Sequence, residues 1–202
     1  RKERVVDVDA VCAGDAGAFF CSRAQPMTDA LCLDGIQRAV RSLERAFQNG
    51  HDLDAREDMA LCALNSGIAL ANAGLGAVHG FAAPIGGMFH APHGAVCAAL
   101  LPFVIEVNLR AARARTPDAP TASRYTEVAR LLTGRADATA DDAAPFTRDL
   151  VAELQIPPLR AYGLTAAHVP ALVEQSSRAS SMKANPLPLT PHELTEILTR
   201  AL

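Results

Sequence analysis

Two long stretches repeat apolar residues at the spacing of an α-helix, and a chain built this way must pack helices side by side. From Thr28 to Phe47 the apolar positions are Leu31, Ile36, Ala39, Val40, Leu43 and Phe47, behind Pro26 and a Thr28/Asp29 start signal and ahead of Asn49-Gly50. From about Asp54 to Ala73 the stripe is Met59, Leu61, Leu64, Ile68 and Leu70, with Glu57 and Asp58 near the positive end of the helix. The small residues Ala60, Ala63, Ser66, Gly67, Ala69 and Ala71 predict close packing against a neighbour. Half of the chain is hydrophobic but only 4% is aromatic, with no Trp, a balance that favours helix over strand. Arg4 to Val8 is the one weak strand candidate, so the predicted fold class is all-α.

The remaining elements follow from breakers and caps. Pro84 through Gly94 (PIGGMFHAPHG) is dense in Gly and Pro and is predicted to form a shaped loop. Ala95 to Ala114 reads as a buried helix with a kink expected at Pro102. Tyr125 to Leu132 is a short helix closed by Gly134. Thr139-Ala140-Asp141-Asp142 opens another that reaches Leu154 and stops before Pro157-Pro158. Thr165 begins a helix carrying Val169, Leu172 and Val173. Thr190-Pro191-His192-Glu193 joins a Thr N-cap, Pro at N1 and Glu at N3 ahead of Leu194, Ile197, Leu198 and Leu202.

Charge narrows the partners. A formal net charge of −3 leaves no basic field for a phosphate backbone, and the longest cationic cluster is Arg110, Arg113 and Arg115, so nucleic acid is not expected. The run from Ala95 to Val107 is interrupted by Pro102 and Glu106, so no membrane partner is expected either. The start Arg1-Lys2-Glu3-Arg4 is not that of a secretory signal and reads as a fragment. Five cysteines at irregular spacings (Cys12, Cys21, Cys32, Cys62, Cys97) form no disulfide framework and no CxxC pair. They read as reduced core thiols of a cytoplasmic protein.

For chemistry, His79 and His93 stand out, each beside a glycine where a helix end and a loop can meet around one ion. Imidazole nitrogen suits iron and zinc alike. Their separation of fourteen residues is not a general metal signature, and surface or satisfied core positions are the plain alternative. His51, His168 and His192 read as solvated surface. Ser180-Ser181-Met182-Lys183 either approaches a substrate or marks a helix-to-loop transition. Gly86-Gly87 is not a phosphate loop, because no strand precedes it and no Lys follows.

The words around the two histidines carry a resemblance. Ala73-Gly74-Leu75-Gly76-Ala77-Val78-His79, Pro84-Ile85-Gly86-Gly87-Met88-Phe89, Ala91-Pro92-His93-Gly94 and Leu100-Leu101-Pro102 resemble, in order and in register, the signature of the iron-containing alcohol dehydrogenase family, maleylacetate reductases included. Ala24-Gln25-Pro26-Met27-Thr28-Asp29-Ala30-Leu31 and Ser180 to Pro186 resemble flanking family segments, so the similarity runs from about residue 18 to 202. The resemblance implies the multihelical C-terminal domain of the dehydroquinate synthase-like fold, without the N-terminal α/β domain that binds NAD(P). Residues 1–17 are then a divergent N-terminal segment and residues 18–202 a helical metal-binding domain.

The family holds Fe2+, in some members Zn2+, through one Asp and three His, and the two later ligands fall on His79 and His93. The earlier two belong to an Asp-Ala-x-x-His segment, matched here by Asp9-Ala10-Val11-Cys12-Ala13. Asp9 is therefore a candidate ligand that needs a one-residue insertion, and the His is replaced by Ala13. Many members carry a further His four residues after the first ligand, where this chain has Ala83. His90 is the candidate to supply a catalytic imidazole in its place, with an exposed loop histidine as the alternative. The implied activity is NAD(P)-linked oxidation or reduction of a small alcohol or aldehyde, not expected of this chain in isolation. The alternative is a helical interaction module descended from such an enzyme. A homo-oligomer is a further expectation, through the face left exposed.

Overall fold

The computed structural model describes residues 19, 20 and 22–202. The segment 1–17, with the strand candidate Arg4 to Val8, Asp9 and Ala13, lies outside the described residues. The described residues form helices α1 (Pro26–Gln48), α2 (Leu53–Ala73), α3 (Ala77–Phe89), α4 (His93–Arg115), α5 (Thr121–Thr133), α6 (Ala143–Glu153), α7 (Val169–Arg178) and α8 (Pro191–Ala201), joined by short turns and with no strand among them.

Helix α4 is the axis of the fold. It packs against α3, α5, α6 and α8, and Val96, Cys97, Leu100, Val104, Ile105 and Leu109 lie in the main core. Pro102 and Glu106 do not interrupt it. By length and composition α4 is apolar enough to cross a membrane, but 78% of its most apolar stretch is buried inside the protein, as befits a central core helix. Its last turns bear the cationic cluster predicted from sequence, and each arginine is paired. Arg110 binds Glu196 and Arg115 binds Glu193 on α8, while Arg113 binds Asp141.

Helices α1 and α2 form an antechamber to this core. Their contact is lined by Ala39, Leu43, Ala46, Ala55, Met59 and Cys62, mostly small residues that allow close approach. The sequence predicted instead an apolar stripe running through Leu64, Ile68 and Leu70, but these face outward, Leu64 at 57% exposure. The reason is the size of the gap. Small side chains fill the α1–α2 contact, leaving the larger ones on the outer face. Asp58 turns inward instead and accepts hydrogen bonds from Arg41, Arg38 and Ser42.

The main correction concerns residues 84–94, predicted as a loop. Helix α3 continues through Pro84, Gly86 and Gly87 to Phe89, and only His90, Ala91 and Pro92 are non-helical before α4 begins at His93. A proline inside a helix costs about 3 kcal/mol and each glycine about 1 kcal/mol. Val78, Phe81, Ala82 and Ile85 lie at helical spacing on the buried face, and fully burying a side chain such as Phe81 or Ile85 contributes about 1.5–3 kcal/mol each. Tertiary burial offsets the local propensity. His90 stops the helix in the left-handed region, with φ 51° and ψ 27°.

Candidate metal centre

Helix α3 leaves α2 at 102° across Gly74-Leu75-Gly76. Gly74 has φ +91°, and a Cβ there would lie 2.8 Å from the Arg23 guanidinium and 3.2 Å from Ala184, so the bend requires glycine. The start of α3 is then anchored by Asn185. Its Oδ1 accepts from the Ala77 backbone N–H at 3.0 Å, and its Nδ2 donates to Asn108 Oδ1 and Leu187 O, each at 2.8 Å. Asn108 in turn reaches Tyr125, whose hydroxyl is raised well above the usual phenol range, chiefly by complete burial. This buried polar network fixes the helix end two residues before His79.

Removing it has a calculable cost. Asn185→Ala leaves the Ala77 N–H buried without its partner and removes both hydrogen bonds between Asn185 and the Asn108 amide, and is expected to lower stability by about 1–3 kcal/mol in denaturant unfolding. A loss under half a kcal/mol would mean that water takes over the role of Asn185.

With α3 so placed, His79 and His93 face one another although fourteen residues apart in sequence. Their ring centroids are 5.3 Å apart at 49°. His79 is 7% exposed and its Nδ1 is buried without a hydrogen-bond partner among the described residues, whereas His93, the first residue of α4, is exposed. Burial, with the charge of His93 as a second cause, pushes the His79 imidazole down to about 4. It is therefore neutral near pH 7, the form that donates a lone pair. Such an orphaned nitrogen is costly unless something pairs with it.

A third group joins the pair. Cys97 lies on α4 four residues after His93, hence on the same helix face, and its Sγ is 3.6 Å from His93 Nε2. One donor atom each from His79, His93 and Cys97 lie within 4.8 Å of one another. The sequence reading placed Cys97 among the core thiols. Cys97 is indeed buried in the core; the spacing His93-x-x-x-Cys97 is the signal that makes it a candidate donor as well, and reading 84–94 as a loop concealed that His93 begins a helix. The donor set of two imidazoles and a thiol, with one imidazole nitrogen unpartnered, fits a transition-metal ion.

The other candidates are placed as follows. His90 is exposed at the C-cap of α3, and no side-chain hydrogen bond or ring contact joins it to His79 or His93. Ala83 is exposed on the same helix. Met182, from the turn Ser180–Ala184, lies over α3 at Gly80, the residue after His79. A Cβ on Gly80 would meet Met182 Cε at 2.7 Å. His51 and His192 are exposed. His168 is not a solvated surface residue as its sequence context suggested. Its Nδ1 accepts from the Thr165 N–H at 3.1 Å, and its ring meets Phe89 edge-on at 5.0 Å, because its place at N3 turns the ring back to cap its own helix.

Comparison with known proteins bears on the family. Residues 9–202 match the C-terminal domain of the Fe-containing alcohol dehydrogenase family. The chain belongs to that family. The 1,3-propanediol dehydrogenase of Citrobacter freundii is 33% identical over 190 residues, 91% of this chain and 47% of its own length. Among solved structures, a 1,3-propanediol oxidoreductase superposes with a TM-score of 0.87 at 30% identity, covering 96% of this chain and 50% of its own. The alcohol dehydrogenase of Oenococcus oeni gives 0.87 at 29% identity, over 98% and 51%. The chain thus spans about half the length of these alcohol dehydrogenases, and its all-helical architecture is that of the C-terminal half of the fold.

Proposed function

We propose that this chain is the metal-holding half of an NAD(P)-dependent oxidoreductase acting on a small alcohol or aldehyde, with His79 and His93 as ligands of iron or zinc. The observation that carries this reading is the convergence of two imidazoles, one of them buried and neutral with an unpartnered nitrogen, in a chain of this family. When bound, the metal supplies Lewis-acid polarisation of the substrate oxygen. The chain's own part is positioning. Asn185 and the Gly74 bend hold His79, and the start of α4 holds His93. The nicotinamide cofactor belongs, in this reading, to the half of the relatives that this chain does not match, so the isolated chain is not expected to transfer hydride.

The test is metal binding by the purified, chelator-stripped chain. One equivalent of zinc, or of iron under anaerobic conditions, is expected, and His79→Ala or His93→Ala is expected to weaken binding at least about a hundredfold while far-ultraviolet circular dichroism stays unchanged. A fully helical chain that takes up no metal would overturn the reading and leave a helical packing module.

A further inference from the structure

We infer that Cys97 is a third protein ligand of this centre, which makes it a two-histidine, one-thiolate site selective for thiophilic ions such as zinc and cobalt. The inference rests on the reading that His79 and His93 hold a metal, and goes beyond it in naming the third donor and the class of ion.

Geometry carries it first. Three donor atoms from two helices meet within 4.8 Å. In a tetrahedral zinc site, Zn–S of about 2.3 Å and Zn–N of about 2.0–2.1 Å place sulfur about 3.6 Å from each nitrogen. The Cys97 Sγ to His93 Nε2 distance is 3.6 Å. The pair therefore stands along a tetrahedral edge without movement of α4, which carries both residues one turn apart in its packed first turns. Both Cys97 and His79 are buried, so the donors enter from a rigid core side, while exposed His93 marks the open side from which an ion or substrate would arrive.

Charge carries it second. Imidazole ligands bring no negative charge to a dication, and the start of α4 presents its positive end. Among the described residues of this cluster, the Cys97 thiolate supplies the anion. On metal binding the Cys97 S–H bond breaks, its proton passes to solvent and the sulfur lone pair bonds the ion, with no change of oxidation state. Thiolate is a soft ligand and shifts selectivity away from magnesium, calcium and manganese towards zinc and its neighbours. Among the described residues the three donors leave the fourth position of a tetrahedral site to water, substrate or a further ligand.

Cobalt(II) tests this directly. The cobalt-loaded full chain is expected to show tetrahedral visible bands together with a thiolate-to-cobalt charge-transfer band in the near ultraviolet. Cys97→Ser is expected to abolish the charge-transfer band and to weaken zinc binding about tenfold or more. Cys12→Ser/Cys21→Ser/Cys32→Ala/Cys62→Ala, which leaves Cys97 as the single thiol, is expected to keep the band, and decides the matter even where Cys97→Ser folds poorly. Visible bands without charge transfer, or a band that vanishes with the other four cysteines, would overturn the role of Cys97 while leaving the histidine pair. A chain that binds neither cobalt nor zinc overturns both.

Discussion

Phe81→Ala is expected to lower the unfolding free energy by about 3–5 kcal/mol, the cost of truncating a large, fully buried aromatic side chain. Phe81 has no exposed surface and sits on α3 two residues after His79, in the main core with Val78, Ala82 and Ile85. The cavity left behind cannot readily collapse, because α3 is held at its start by Asn185 and at its end by the αL turn of His90. For a chain of this size each kcal/mol moves the melting temperature about 2–4 °C, so the midpoint should fall by roughly 10 °C in calorimetry. The same burial keeps Pro84 helical, and the variant should lose ellipticity as well as stability. A shift of only one or two degrees would show that α3 does not depend on this contact.

Asp58→Ala is expected to cost about 3 kcal/mol near neutral pH, since it removes the common acceptor of two guanidinium groups and a buried hydroxyl. Asp58 accepts from Arg41 Nε and Nη2 at 2.8 and 2.6 Å, from Arg38 Nη1 at 2.9 Å and from Ser42 Oγ at 2.5 Å, with a side chain only 13% exposed. The Arg41 guanidinium first, then the Ser42 hydroxyl and Arg38, hold this carboxyl well below the usual carboxylate range against the opposing effect of burial. A carboxylate more acidic in the folded than in the unfolded chain stabilises the fold fully above the unfolded value, about 3.9 for Asp, and loses that contribution as pH falls below it. Denaturant midpoints measured from pH 7 down to pH 2 should therefore show parent and variant far apart at neutral pH and drawing together in acid. A difference that stays constant across this range would remove the charge from the explanation.

Most helices of this protein were legible because they obey rules that act over a few residues; α3 was the exception. Thr190 accepts from the Glu193 N–H and Glu193 reaches back to the Thr190 N–H, as the tetrad Thr-Pro-His-Glu predicts. Gly134 closes α5 in the left-handed region, and Asn49 follows α1. Family membership was legible as well, since the words around His79 and His93 stand in order along the chain, and the match over residues 9–202 bears it out.

What local rules could not supply is who meets whom. Residues 84–94 hold every sequence sign of a loop, yet burial of Phe81 and Ile85 against α4 keeps all but three of them within helices. The outward turn of Leu64, Ile68 and Leu70 depended on how closely α1 lies against α2, a distance no periodicity records. Cys97 looked like any buried thiol until α3 folded back and brought His79 within reach of it. By itself the sequence determined most of the helices and their caps, and brought His79 and His93 forward as candidates. Only the tertiary structure decided which helix faces are buried and that a sulfur joins the two imidazoles, because propensity and capping act within one turn of chain while a three-residue centre depends on the packing of two helices.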